Sequence, residues 1–271
     1  MRIAFIGGGN MASGLIGGLL ARGWPAGDLV VADPSAGQRQ ALSERFGIRT
    51  TDDNAVAARD AEVIVLAVKP QQMRAAAREL AGAVQDRRRL VISVAAGIRL
   101  ADLVNWLGPA AAVVRAMPNR PALIGAGVTA LLAHERVTPQ ERAAAESILA
   151  ACGATVWIES EQQMDTVTAL SGSGPAYFFL LIEALEQAGV RLGLPPATAR
   201  LLAVETARGA GRLAAESGEA PAALREQVTS KGGTTAAALG VMNSSDLGGI
   251  IGRAVAAAAK RSAELAGPTP D

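Results

Sequence analysis

Histidine and cysteine are almost missing from this 271-residue chain, which carries one of each, His134 and Cys152. A lone cysteine excludes an internal disulfide, and it suits a small buried filler better than a reactive thiol. One histidine with no cysteine cluster leaves no ligand set for a metal, so no metal site is expected. It also argues against a histidine proton relay, since His134 falls in a polar loop and reads as a surface residue. Aromatic residues make up only 3%, so the core has to be built from small aliphatic side chains. The sequence has no strong excess charge either: 26 basic against 25 acidic residues leave +1. That balance excludes the basic footprint of a dedicated nucleic-acid binder. Arg87-Arg88-Arg89 reads as solvated turn charges. No uninterrupted apolar run reaches the length that spans a bilayer. The uncharged stretch 166–182 is broken by Ser171, Gly172, Ser173, Gly174 and Pro175. With no recognisable signal peptide, a cytoplasmic protein is the expectation.

What is present is half apolar, rich in alanine and glycine, and about twice the usual domain length. The first half alternates short apolar runs with helical periodicity. Strands are predicted over 2–6, 29–32, 63–68, 90–94, 112–116, 127–132 and 155–158, with helices including 14–22 and 35–46 between them. Continuous apolar runs such as 63–68 mark strands covered on both faces. Alternation of this kind predicts an α/β, Rossmann-like dinucleotide-binding domain with a mostly parallel sheet, over 1–160. From 161 to 271 the strands stop. Helices are predicted over 176–188, 196–216, 221–228, 235–241 and 247–265, giving an all-helical dimerisation and substrate-binding domain. The segment 177–188 is apolar on most sides, which calls for burial all round and implies an oligomer. A polar tail follows over 267–271.

The glycine-rich turn Gly7-Gly8-Gly9-Asn10-Met11-Ala12 lies between the first strand and the first helix. Gly7 allows the tight turn, Gly9 lets backbone approach a pyrophosphate, and Ala12 keeps helix and sheet close. Asn10 and Met11 begin the helix whose N–H groups face the phosphates. Asp33 closes the second strand, where an acid favours the ribose diol of NAD. Ser35 and Arg39 follow it and suit the 2′-phosphate of NADP, so the residues leave the coenzyme open between NADPH and NADH. Val68-Lys69-Pro70 ends the strand beyond the crossover, where Lys69 either holds a ribose or phosphate or is a solvated loop lysine. Asn119 in Met117-Pro118-Asn119 suits a carboxamide or a bound substrate, or else a local turn cap. In the helical half, Ser230, Gly232, Gly233, Thr234 and Thr235 form a loop with hydroxyls and converging N–H groups ahead of a helix start. Such a nest either takes a carboxylate or is a helix cap with flexible glycines. Ser173 suits helix capping or an active-site wall equally.

These motifs, in this order, resemble the pyrroline-5-carboxylate reductases. The resemblance is carried by Phe5-Ile6-Gly7-Gly8-Gly9-Asn10-Met11, Ala67-Val68-Lys69-Pro70, Arg115-Ala116-Met117-Pro118-Asn119, Ser171-Gly172-Ser173-Gly174-Pro175-Ala176-Tyr177 and Gly232-Gly233-Thr234-Thr235. It implies hydride transfer from NADPH or NADH to C5 of the cyclic imine L-1-pyrroline-5-carboxylate, giving L-proline. It implies NADPH as the commoner coenzyme and a homodimer at least, with a decamer of five dimers as the larger assembly. It implies Lys69 and Asn119 near the nicotinamide, Ser230, Gly233 and Thr234 around the substrate carboxylate, and the Thr235 hydroxyl at the ring nitrogen. The chain departs from many relatives in having Arg120 for threonine and Lys231 for proline. A β-hydroxyacid dehydrogenase and a non-catalytic NAD(P)H sensor are the rival readings.

Overall fold

The computed structural model describes residues 1–267, so all but the first residue of the expected polar tail lies outside it. The chain forms two compact units: Met1–Gly172 with the chain from Ala258 onward, and Ser173–Ala257.

The first unit opens with β1 (Ile3–Ile6), α1 (Asn10–Ala21), β2 (Leu29–Ala32), α2 (Ala36–Phe46), β3 (Arg49–Thr51) and α3 (Asn54–Ala58). It continues with β4 (Val63–Leu66), α4 (Pro70–Asp86), β5 (Leu90–Ser93), α5 (Leu100–Leu107) and β6 (Ala112–Pro118). Then come β7 (Gly127–Ala133), α6 (Pro139–Leu149), β8 (Gly153–Trp157) and α7 (Glu161–Val167). The eight strands form one sheet in the order β3-β2-β1-β4-β5-β6-β7-β8. All neighbours run parallel except β6 and β7. Every residue of β1, β4 and β5 is buried, because helices cover both faces of the sheet. Side-chain alternation splits each strand between two cores. Ile3, Phe5, Val65 and Ile92 pack with Leu15 and Leu19 of α1. Ala4, Ile6, Ile64 and Leu66 pack with Met73 and Leu80 of α4 and Leu103 of α5. The chain turns back between β3 and β4, so β1 and β4 are neighbours with their crossovers leading opposite ways. Their carboxyl ends therefore border the crevice where ligands of such sheets bind.

α1 starts at Asn10, as expected for the helix that faces the phosphates, with Gly9 as its N-cap. Several local expectations change. β3 is an added edge strand of three polar residues, Arg49–Thr51, with no apolar run to betray it. Arg88 and Arg89 are not merely solvated. Arg88 pairs with Glu141 at 2.9 Å and donates to the Arg136 carbonyl. Arg89 is buried and donates to the carbonyls of Ala61 and Arg59 at 3.1 and 2.9 Å. His134 is half-buried, with its backbone N–H on the Val113 carbonyl. The units divide after Gly172, beyond the expected boundary at 160, because α7 and the turn after it pack on the sheet. Met164 and Ala169 are fully buried there, and Asp165 accepts a 2.7 Å hydrogen bond from Ser262.

The second unit consists of α8 (Gly174–Arg191), α9 (Pro196–Glu216), α10 (Pro221–Gln227), α11 (Thr234–Ser244) and the first part of α12 (Leu247–Ala266). Ser171–Pro175 interrupts the helical run as expected: a π-turn over Thr168–Gly172 follows α7, Ser173 is a bend, and α8 starts anew at Gly174. Pro175 sits at the start of α8, where its missing N–H has no partner to lose. Taken together, the stretch Glu161–Arg191 is long and apolar enough, by length and composition, to cross a membrane. Gly189 lets α8 and α9 approach, since a Cβ there would stand 3.1 Å from the Ala199 Cβ. Among residues 173–257 only Gly174, Ala199 and Ala203 are buried. Phe178, Phe179, Leu180 and Leu181 of α8 are 65%, 60%, 67% and 47% exposed. A single copy of this unit thus leaves its apolar side chains uncovered.

Candidate active site

At the carboxyl edge of the first unit's sheet, Gly7 has φ +96° and donates its N–H to the Ala32 carbonyl at 2.8 Å. A Cβ on Gly7 would stand 2.8 Å from the Ala67 oxygen and 3.0 Å from Val68 Cγ1. The turn therefore wedges between the ends of β2 and β4, and only glycine meets both demands. Gly8, not Gly9, is the second crowded position: its Cβ would meet Leu42 Cδ1 at 2.6 Å. A Cβ on Gly9 would meet nothing within 4 Å, so that side of the turn is open. Gly9 caps α1 without a side-chain hydrogen bond, and no acid lies in the first turn. The N–H groups there have a positive dipole end and no acidic side chain in their own first turn, which suits a phosphate. Asn10 and Met11 form the start of that turn, and Ala12 is fully buried beneath it.

Asp33 does more than wait for a ribose. One carboxylate oxygen accepts the Gly8 N–H at 2.8 Å and the other accepts the Ser35 N–H at 2.9 Å. Gln38 donates to the Gly8 carbonyl from the other side. The acid thus shapes the glycine turn itself. Ser35 caps α2 by accepting from Gln38. Arg39 donates to the carbonyls of Asp33 and Pro34 at 2.8 and 3.0 Å. Lys69 is exposed at the end of β4, with Pro70 opening α4. Asp33, Ser35 and Arg39 after β2, Gly7–Met11 after β1, Val68–Pro70 after β4 and Asn119 after β6 thus share one sheet edge. Asn119 is held differently from the expectation. Its Oδ1 accepts the Val128 N–H at 3.0 Å, and its Nδ2 donates to the Ser171 carbonyl at 3.2 Å. Sequence reasoning also missed Arg115 and Glu161, an ion pair whose arginine is only 2% exposed. Burial pushes the Arg115 guanidinium down, and Glu161 and Asp165 push it back up. A charged residue inside an apolar strand was the available signal.

In the second unit, Gly232 has φ +70° and the Gly233 N–H returns to the Ser230 carbonyl at 3.0 Å. A Cβ on Gly233 would lie 2.4 Å from Ser230 Oγ, so hydroxyl and backbone converge. α11 begins at Thr234, one residue earlier than expected, with Gly233 as an N-cap that offers no side chain and no acid in its first turn. Thr234 and Thr235 occupy that first turn. Ser230, Gly233, Thr234 and Thr235 therefore do come together, around a helix end suited to a carboxylate. Ser173 makes no capping hydrogen bond to α8.

Among the described residues no group of three or more His, Cys, Asp or Glu could hold a metal. Cys152 is buried, and burial pushes its thiol up to about 11. The thiolate is the reactive form, so iodoacetamide at mildly alkaline pH is expected to leave Cys152 unlabelled in the folded protein. Intact-mass measurement should show one adduct only after denaturation.

A Rossmann-type dinucleotide-binding unit joined to a helical unit defines an oxidoreductase architecture. Residues 2–97 match the family model described as NADP oxidoreductase coenzyme F420-dependent, and residues 161–265 match that for pyrroline-5-carboxylate reductase dimerisation. The chain is 47% identical to the pyrroline-5-carboxylate reductase of Pseudomonas aeruginosa, over 98% of this chain and 97% of that one. A solved pyrroline-5-carboxylate reductase from Coxiella burnetii is 43% identical with a TM-score of 0.95, covering 97% of this chain and 98% of that one. The pyrroline carboxylate reductase of Plasmodium falciparum, solved with NADP bound, is 28% identical with a TM-score of 0.84, covering 98% of each chain. The chain belongs to the pyrroline-5-carboxylate reductase family.

Proposed function

We propose that this protein reduces L-1-pyrroline-5-carboxylate to L-proline with NADPH or NADH, as a cytoplasmic homodimer or a decamer built from five dimers. The observation that carries the reading is the start of α11, a glycine-capped helix end flanked by the Ser230 and Thr235 hydroxyls. The relatives named for this activity, similar along nearly the whole chain, support it. So does the NADP in the Plasmodium falciparum relative.

The crowded Gly7–Gly8 turn and the uncapped start of α1 fit a dinucleotide pyrophosphate, with Gly9, Asn10 and Met11 lining its approach. Ser35 and Arg39 stand where a 2′-phosphate would lie, and Asp33 where an adenine ribose would. Lys69 borders the nicotinamide half. A reduced nicotinamide supplies a hydride to ring C5. Ser230 and the N–H groups of Gly233 and Thr234 take the substrate carboxylate, which fixes the ring. The imine nitrogen is basic enough to arrive protonated, so no histidine is required. The Thr235 hydroxyl accepts a hydrogen bond from that N–H and holds the nitrogen while C5 receives the hydride. Much of the rate advantage is alignment.

The test is a steady-state assay of the purified protein with pyrroline-5-carboxylate, NADPH and NADH supplied separately, with proline quantified. Failure to form proline with either coenzyme would overturn the reading. Within the assay, Thr235→Ala is expected to lower kcat/KM roughly 10- to 100-fold, the loss of one hydrogen bond of about 1–3 kcal/mol. An unchanged value would remove Thr235 from the mechanism.

A further inference from the structure

Arg115, Met117 and Asn119 alternate along one strand and its end, so their side chains leave the same face of the sheet. All three meet one segment, the run from Glu161 to Gly172. Arg115 pairs with Glu161, which also accepts the Leu100 N–H at 2.6 Å. Met117 abuts Gly172 so closely that a Cβ there would lie 2.9 Å from Met117 Cε. Asn119 donates to the Ser171 carbonyl while accepting the Val128 N–H.

The segment so gripped is unusual. After α7 the helix widens into a π-turn over Thr168–Gly172. Thr168 donates its hydroxyl to the Met164 carbonyl at 2.8 Å, and Ser171 donates to the Val167 carbonyl at 3.0 Å. Such back-bonding bends helices, and π-turns concentrate at functional positions. Gly172 ends the turn and the first compact unit; the next residue opens the second.

We propose that Arg115, Met117 and Asn119 form a three-point latch that fixes this π-turn, and that Asn119 is a positioning residue for the reaction, acting through Ser171 rather than by holding coenzyme. The carboxamide suits this position because its oxygen accepts, its nitrogen donates, and both are used. The latch fixes the last turn of the first unit, after which the chain continues into the unit that carries the substrate loop. Its kinetic consequence rests on the reductase reading, but its structural consequence does not.

Asn119→Asp tests the latch. An ionised carboxylate can still accept from Val128 but turns an acceptor toward the Ser171 carbonyl. A protonated carboxyl restores the donor. At this site, 9% exposed, burial raises the introduced carboxyl above about 3.9. The cation Arg120 next in sequence works against that rise. The other charges on the packed elements are Arg115 on β6, Arg99 ahead of α5, and Glu161 and Asp165 on α7.

At about pH 8 the variant should lose at least about tenfold in kcat with the coenzyme KM nearly unchanged. As pH falls through the new carboxyl's titration, its kcat relative to the parent protein should recover. Asn119→Ala should lose kcat without recovery. Amide hydrogen exchange over 168–172 should quicken in Asn119→Asp under the alkaline condition and slow again in acid, an outcome independent of any substrate. A raised coenzyme KM with intact kcat, or a variant-to-parent ratio flat with pH, would overturn the latch. If Asn119→Asp does not fold, Gly172→Ala decides the matter. It should lower kcat by crowding Met117, and adding Met117→Ala should restore it; additive losses would refute the proposal.

Discussion

Phe178→Glu combined with Leu181→Glu should leave the protein monomeric at micromolar concentration and without reductase activity. Both side chains lie one helical turn apart on α8, 65% and 47% exposed in the single chain. Their unit has no core to receive them, since only three positions between 173 and 257 are buried. The same residues fall inside the segment matching a dimerisation family. Covering a phenylalanine or leucine contributes about 1.5–3 kcal/mol. Scaled to the surface still exposed, and counted twice in a two-fold interface, the pair removes roughly 3–7 kcal/mol. Introducing buried, unpaired carboxylates adds a further penalty. Since about 1.4 kcal/mol is tenfold, association weakens by at least about 100-fold, and by more once the carboxylate penalty is included. Light scattering behind a sizing column reads the mass directly. A dimer that persists would mean that α8 is not the face that pairs.

Much of the sheet was legible because β1, β2 and β4 are apolar without interruption. β1, β4 and β5 stand where the apolar runs do, and α8, α9 and α10 begin near their prolines. β3 was not legible: three polar edge residues carry neither an apolar run nor alternation. The start of α8 at Gly174, one residue ahead of Pro175, was also hidden. A proline at a first helical turn and a proline that ends a helix look alike until the flanking backbone is known. In the glycine turn, the pattern located the tight strand-to-helix turn but not which glycine is crowded by the protein. Gly8 is crowded by Leu42, far away in sequence, whereas Gly9 is open. Asn119 stands out as a polar residue after a strand, yet its partners Val128 and Ser171 come from elements whose approach no local pattern encodes. Arg115 shows the same limit. Nothing near it in sequence announces Glu161, although a buried arginine requires such a partner.

Gly7→Val should weaken coenzyme binding more than about 100-fold while the helical unit keeps its fold. Two independent penalties act at this residue. The backbone φ of +96° is one that a β-branched residue adopts only with strain, of about 1–3 kcal/mol. The side chain would also collide with the Ala67 carbonyl carbon and oxygen at 2.9 and 2.8 Å. These are backbone atoms of the β4 end, so no rotamer change relieves the clash. The turn would have to lift away from β4. That displaces Gly8, which is bound to Asp33 and Gln38, and with it the exposed N–H groups at the start of α1. A loss above about 2.8 kcal/mol corresponds to the stated hundredfold. Gly9→Ala is the control, because its Cβ meets no protein atom within 4 Å. Any loss there reports crowding of the bound pyrophosphate instead of distortion of the turn. Nicotinamide fluorescence titration gives the two affinities, and the melting temperature separates binding from folding. Near-equal affinity of Gly7→Val and the parent protein would show that the dinucleotide does not use this turn.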